Sequence, residues 1–345
     1  MRAIVWTRYG PPEGLRLEEI PEPTPDAREI RVRVFATTAA AGDCELRALR
    51  FSFGLRLLVR LLMGPLRPRN KVLGQEFSGV VDAVGRAVSR FRVGDPVFGT
   101  TGFRFGAYAD YVCLPESSPD AALTGKPTRM TFEEAAAVPT GGLEALHFLR
   151  RAGDLADRRV LIVGAGGGIG TFAIQLAKFF GAHVTAVDRE EKREAMLSVG
   201  ADRVLDFARE DYTAGAERYD VVFDVVGKSP YAATLAILAP RGVYLLGNPN
   251  LRTMMRGFWT SRTTATNVKF GAAKPTTEDL EFLRGLIESG RVRSLIDRRF
   301  PLERMVDAHR YVDTGSALGK VVITVSPGSD TTGGSSLRGA GFNRV

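Results

Sequence analysis

The run Val163-Gly164-Ala165-Gly166-Gly167-Gly168-Ile169-Gly170 is the densest chemical signal in the chain. A buried-strand pattern, Arg159-Val160-Leu161-Ile162-Val163, precedes it, and a helical pattern over 171–180 follows. Such a turn holds a pyrophosphate through three small residues: one for the tight reversal, one for close approach of backbone to phosphate, one for helix–strand contact. Those places fall to Ala165, Gly167 and Gly170, with Gly166, Gly168 and Ile169 completing the loop. The literal GxGxxG string is absent because Ala165 fills its first place, so the strand-before and helix-after context carries the reading. Amides at the helix start then face the anion with the favourable end of the helix dipole.

Asp188 closes the next strand pattern, where an acid accepts hydrogen bonds from an adenosine ribose and favours NAD(H). Arg189, Lys192 and Arg193 point the other way, because a guanidinium there holds the 2′-phosphate of NADP(H). The plainer alternative for Asp188 is a first-turn acid among solvated basic neighbours. His147 reads as a hydrogen-bonded core residue of an apolar helix, His183 and His309 receive no role, and Tyr108 and Tyr111 read as packing residues.

These residues need a scaffold, and 345 residues suggest two domains. Apolar residues make up 44% and charged residues 25%, which excludes a disordered or fibrous bulk. Two cysteines, Cys44 and Cys113, cannot form a disulfide framework or a four-thiolate zinc site. The charge of +8 rests on 39 Arg and 8 Lys scattered along the chain, so no nucleic-acid partner is expected. The longest apolar stretch, residues 51–63, is interrupted by Arg56 and Arg60 and falls short of the roughly 20 residues of a membrane span. With no integral membrane segment and no signal-peptide pattern, a cytoplasmic protein is expected.

Short strand patterns at 3–6, 15–18, 30–36, 79–84, 95–98 and 107–114 make the first part β-rich, with a helical excursion over 46–67. From Thr131 helices and strands alternate, which argues a parallel sheet: helices near 132–137, 143–152, 171–180, 277–289 and 303–313, strands near 159–163, 181–187, 203–206, 219–223, 242–247 and 320–325. Residues 328–345 are rich in Gly, Ser and Thr and are expected to be disordered.

Several motifs resemble the medium-chain dehydrogenase/reductase superfamily: Gly74-Gln75-Glu76-Phe77-Ser78-Gly79 with Gly85 and Val88, Gly94-Asp95-Pro96-Val97, Gly106-Ala107-Tyr108-Ala109-Asp110-Tyr111, and the glycine turn leading to Ala173-Ile174-Gln175-Leu176-Ala177-Lys178. Within it the chain looks like the zinc-independent quinone oxidoreductase and enoyl reductase branch. The resemblance implies a GroES-like β-rich domain from residues 1–127 and 271–327, and an α/β Rossmann domain with a doubly wound parallel sheet over 128–270, with the active site in the cleft between. It implies NAD(H) or NADP(H) as cofactor, a small hydrophobic carbonyl or quinone as substrate, and a homodimer. Zinc-dependent relatives carry His at Gln75 and Cys at Thr140, neither replacement is a good zinc ligand, and no zinc is expected. Cys44 lies near the place of the first thiolate ligand and reads as a buried small residue, with Glu76 a structural carboxylate.

Two departures bear on catalysis. Relatives carry Asn three residues before Asp43, where this chain has Ala40, and Thr where Glu144 stands beside the nicotinamide. Asp43 and Glu144 are the catalytic candidates. Glu144 is either a proton donor with a raised pKa or a helix-surface residue. Lys320 resembles a residue that contacts the cofactor pyrophosphate, with a plain strand-start lysine as the alternative, and Asn248, after a parallel strand, falls where ligands bind in such sheets. Residues 51–63 and 254–259, apolar with interspersed Arg, suit a hydrophobic pocket wall, a dimer contact or a membrane-surface contact. The expected activity is hydride transfer to a quinone or α,β-unsaturated carbonyl. A non-redox enzyme such as a cyclase on the same scaffold, or a non-catalytic nucleotide-binding protein, are the alternatives.

Overall fold

The computed structural model describes residues 1–326, so the expected tail at 328–345 lies outside the described residues. A short antiparallel pair, β1 (Arg2–Trp6) and β2 (Leu15–Glu19), opens the chain. Then follow β3 (Glu29–Ala39), α1 (Ala41–Ala48), α2 (Phe53–Met63), β4 (Glu76–Val84), β5 (Pro96–Thr100), β6 (Tyr111–Pro115) and β7 (Ala122–Gly125). Leu49 ends α1 in the left-handed region with φ 49°, which turns the chain towards α2.

Two further helices, α3 (Phe132–Ala136) and α4 (Pro139–Ala152), lead into the alternating half. Thr131 caps α3 by accepting from the Glu134 amide, while the Glu134 carboxylate accepts from the Thr131 amide. The alternating half runs β8 (Arg159–Val163), α5 (Gly170–Phe179), β9 (His183–Asp188), α6 (Arg193–Ser198), β10 (Arg203–Asp206), β11 (Tyr219–Asp224), α7 (Tyr231–Ala236), β12 (Leu238–Leu246), α8 (Leu251–Thr263) and β13 (Asn267–Phe270). The chain closes with α9 (Thr277–Glu288), β14 (Ile296–Pro301), α10 (Met305–Asp313) and β15 (Lys320–Thr324).

Strands β8 to β13 form a six-stranded parallel sheet in the order β10-β9-β8-β11-β12-β13. The order reverses at β8, between β9 and β11, and that switch point is where such sheets open a ligand crevice. Apolar runs such as Val160-Leu161-Ile162 are buried on both faces, as a sheet covered by helices on each side requires.

The other sheet has seven strands in the path order β14-β15-β3-β4-β5-β7, with β6 on β3. Strands β14 and β15 come from the far end of the chain, so the β-rich half is closed by its last described segment. Helix α9 packs with the parallel-sheet half: Leu280, Leu283, Leu286 and Ile287 share a core with α4, α5 and β8. The expected division at residue 271 therefore falls ahead of a helix whose apolar face belongs to the other core.

Candidate active site

The glycine turn sits at the carboxyl end of β8, at the switch point. Gly164, not Ala165, makes the tight reversal: Gly164 has φ +80°, a conformation that L side chains rarely adopt, whereas Ala165 is fully buried without positive φ. Gly170 has the packing role expected of it, since a Cβ there would meet the Gly164 carbonyl oxygen at 2.3 Å. A Cβ on Gly167 would meet only that oxygen, at 3.5 Å, so backbone is open there to a phosphate. The turn leads into the first turn of α5, whose leading amides have no partner within the helix.

Asp188 is built into this turn. Its Oδ2 accepts from the Gly166 amide at 2.8 Å, and its Oδ1 accepts from the Arg189 amide at 2.9 Å and lies 3.3 Å from the Lys192 ammonium. Asp188 and Lys192 are both buried, while Arg189 is exposed. A carboxylate has about four lone-pair sites, so a ribose hydroxyl still finds an acceptor.

A second cluster lies where the two sheets meet. Neighbouring strands β15, β3 and β4 bring together Lys320, Thr38 and Glu76, and α4 adds Thr140. Glu76 Oε1 accepts from the Lys320 ammonium at 2.5 Å and from the Thr38 hydroxyl. Its Oε2 accepts from the Thr140 amide at 2.9 Å and hydroxyl at 2.7 Å, and Lys320 also donates to Thr140 Oγ1 at 2.9 Å. Lys320 is thus committed to Glu76, although its side chain passes beside the turn: a Cβ on Gly168 would lie 3.1 Å from Lys320 Cδ. The Gly319 amide donates to the Gly166 carbonyl at 2.8 Å, and α4 touches the same turn, since a Cβ on Gly141 would meet the Gly168 carbonyl at 2.3 Å.

Glu144 lies on this helix, half-buried, with no hydrogen bond among the described residues. Burial raises its pKa to about 7; the Lys320 charge opposes the rise, and Glu76 and Glu45 add to it. Glu45, on α1, is also raised by burial, and its Oε1 accepts from Asn248 Nδ2 at 3.5 Å. Asn248 therefore stands past the end of β12 and reaches across to the β-rich half. Glu45 escaped the reading of the sequence, and no local pattern marks it.

Asp43 heads a buried chain of polar groups. Its Oδ2 accepts from the Tyr108 hydroxyl at 3.0 Å and the Ala40 amide at 3.4 Å, while its Oδ1 is buried without a partner among the described residues. Tyr108 OH lies 3.2 Å from His309 Nε2, and His309 Nδ1 lies 3.2 Å from Cys44 Sγ. Burial pulls the His309 pKa down to about 3, so its ring is neutral. One proton assignment satisfies every donor: Cys44 S–H to Nδ1, Nε2–H to Tyr108 and Tyr108 O–H to Asp43. Tyr108, a core residue as expected, thus also donates to a candidate catalytic acid, and His309 joins the chain of groups through Tyr108. Burial raises the Asp43 pKa to about 7 against the Tyr108 hydrogen bond, with Glu76 raising it further and Lys320 lowering it.

Other expectations fall away from the site. Among the described residues His147 has a buried Nε2 with no partner and stacks edge-on against Phe148, so the hydrogen bond expected of it is not found there. In residues 51–63 and 254–259, Leu57, Leu58, Leu61, Leu62, Met255 and Trp259 are exposed.

A parallel nucleotide-binding sheet joined to a GroES-like β-domain, with a phosphate turn packed against the helix that carries Glu144, is the arrangement of a two-domain nicotinamide-dependent oxidoreductase. Comparison with known proteins agrees. Residues 26–122 match the alcohol dehydrogenase GroES-like domain and residues 199–323 the zinc-binding dehydrogenase family. The chain is 30% identical over 338 residues to 2-methylene-furan-3-one reductase of Solanum lycopersicum, covering 95% of this chain and 80% of that one. It is 30% identical over 339 residues to a quinone oxidoreductase of Pseudomonas aeruginosa, covering 93% and 99%. The solved quinone oxidoreductase of Coxiella burnetii superposes with a TM-score of 0.83 at 29% identity, covering 94% of this chain and 99% of that one. The chain belongs to the medium-chain dehydrogenase/reductase superfamily, in its quinone oxidoreductase and enoyl reductase branch.

One matched family is described as zinc-binding, and the side chains here do not suit that metal. Gln75 donates to the Gly102 carbonyl at 3.4 Å, Thr140 is bound to Glu76 and Lys320, and Cys44 faces His309. Among the described residues no three His, Cys, Asp or Glu side chains form a group that could hold a metal. The Lys320 ammonium already stands at Glu76, where a second cation would be repelled.

Proposed function

We propose that this protein is an NAD(P)H-dependent reductase of quinones or α,β-unsaturated carbonyls that works without zinc. The observation that carries this reading is Glu144: a half-buried carboxyl with a pKa of about 7, on the helix that packs against the phosphate turn. Such a group holds a proton near neutrality and gives it to charge developing on a substrate.

Bound at the turn, NAD(P)H supplies the hydride. Residues 165–170 hold the pyrophosphate, Asp188 accepts from the ribose, Arg189 and Lys192 stand beside any 2′-phosphate, and Asn248 borders the nicotinamide end. Hydride adds to the β-carbon of an enone, and the electron pair of the C=C bond moves towards the carbonyl oxygen. The Glu144 carboxyl gives its proton to the resulting enolate and regains one from water. Asp43, held through Tyr108, supplies a second carboxyl near the same pKa from the β-rich side, and Lys320 stays paired with Glu76. We carry forward a cytoplasmic homodimer as the working assembly; light scattering on the purified protein tests the dimer.

The test is oxidation of NADH and NADPH with a panel of quinones and enones, beside thermal-shift titration with each cofactor. Turnover with either acceptor class is expected. Cofactor binding without turnover would remove the hydride-transfer reading, and no binding would remove the nucleotide site as well.

A further inference from the structure

Helix α2 is eleven residues long and carries its leucines into solvent. Leu55, Leu58 and Leu62 recur at helical spacing on one face, and Leu57 and Leu61 flank it. Leu58 is 53% exposed, Leu61 55% and Leu62 65%, and Leu66 beyond the helix is 84% exposed. The orientation is held from the other side. Met63 packs against the β-rich core, Tyr9 OH donates to the Gly64 carbonyl at 2.8 Å, and Arg60 lies over the Tyr9 ring.

Charge says what covers this face. No acidic residue occurs between Glu45 and Glu76, while Arg56, Arg60, Arg67, Arg69 and Lys71 all lie there and are exposed. None of these five forms an ion pair among the described residues, and Arg60 donates only to the Pro65 carbonyl. Two copies meeting through this face would bring Arg67, Arg69 and Lys71 of each towards the other with no carboxylate between Glu45 and Glu76 to offset them. An apolar helix face with unpaired, exposed Arg67, Arg69 and Lys71 just past its C-terminal end fits an anionic lipid surface, which takes the leucines among its acyl chains and these cations at its phosphates. Eleven residues fall well short of the roughly 20 of a span, so the helix lies in the interface and does not cross.

We infer that α2, with Leu66, is a docking element for anionic bilayer surfaces. It follows α1, which carries Asp43 and Glu45, after a short loop. Docking therefore brings the cleft to the phase into which lipophilic quinones and enones partition. That consequence rests on the proposed activity; the docking does not.

Sedimentation of the full chain with vesicles tests the inference without any substrate. Phosphatidylcholine vesicles with a third phosphatidylglycerol should bind the protein at least about 10-fold more strongly than phosphatidylcholine alone, and salt near 1 M should release it. Leu58→Glu/Leu62→Glu and Arg67→Gln/Arg69→Gln should each lower binding by about 10-fold or more. Circular dichroism and turnover of a water-soluble enone without vesicles should stay as in the parent protein, which separates docking from folding and from the proposed activity. A parent protein that remains in the supernatant with anionic vesicles overturns the inference. So does leucine-variant binding equal to the parent's, or a vesicle-free dimer that becomes monomeric in the leucine variant, which would assign the face to a second copy.

Discussion

Lys320 and Glu76 meet at 2.5 Å, one at the start of the last described strand and the other at the start of β4. Both are buried, and Thr38 and Thr140 fill the remaining hydrogen-bonding positions on the carboxylate. The pair ties β4 and the last described strand to the helix that carries Glu144, beside a turn that Gly319 also grips.

Removing one partner leaves a buried charge alone. Lys320→Met should cost about 3–5 kcal/mol in denaturant unfolding. The double variant Lys320→Met/Glu76→Gln should regain much of that, because a neutral amide tolerates the loss of the ammonium. Equal destabilisation of the single and double variants would contradict the pairing.

Glu144→Gln should lower kcat by about 10²–10⁴ while leaving cofactor affinity and Tm near those of the parent protein. A general acid must be protonated, so the parent rate falls as pH rises through about 7, and that limb should vanish in the variant. A variant with full kcat and the same pH profile would assign the proton to another donor.

Asp43 gives a separate signature in stability. Its pKa rises from 3.8 to about 7 on folding, so the folded state binds this proton more tightly. The stabilisation is complete below pH 3.8 and is lost as pH rises through about 7. Asp43→Asn should therefore flatten the fall in Tm between about pH 5 and pH 8. An unchanged slope would show that the carboxyl is already ionised in the folded protein.

Cofactor choice turns on the groups around Asp188. NAD(H) is expected to bind at least as well as NADP(H), with Lys192 offsetting the Asp188 charge. Arg189→Ala should weaken NADPH about 10-fold and NADH less than about 2-fold. Equal losses for both would place Arg189 on a part the two cofactors share.

Elemental analysis should find far less than about one zinc per chain, and a chelator should leave turnover intact. Stoichiometric zinc with activity lost on chelation would require ligands other than Gln75, Thr140 and Cys44.

The amino-acid sequence by itself determined what depends on near neighbours. The glycine turn between β8 and α5, Asp188 at the end of β9 and the alternation of helix and strand are all readable, because backbone sterics and side-chain period act over a few residues. Locally legible features still left choices open. The turn reads as glycine-rich, but only the backbone angles place the left-handed residue at Gly164 instead of Ala165. Helical spacing puts Leu55, Leu58 and Leu62 on one face, but whether that face meets the core depends on what packs beside it, and here nothing among the described residues covers it. Strand β14, with Asp297, Arg298 and Arg299, has no apolar period to announce it and exists through its pairing with β15. The tertiary structure alone decided the site. Lys320 with Glu76, and Asp43 with Tyr108 and His309, are hundreds of residues or whole strands apart along the chain, and only the closing of the seven-stranded sheet makes them neighbours. Burial there also sets the protonation of Asp43 and Glu144, because the cost of a charge depends on the water removed around it.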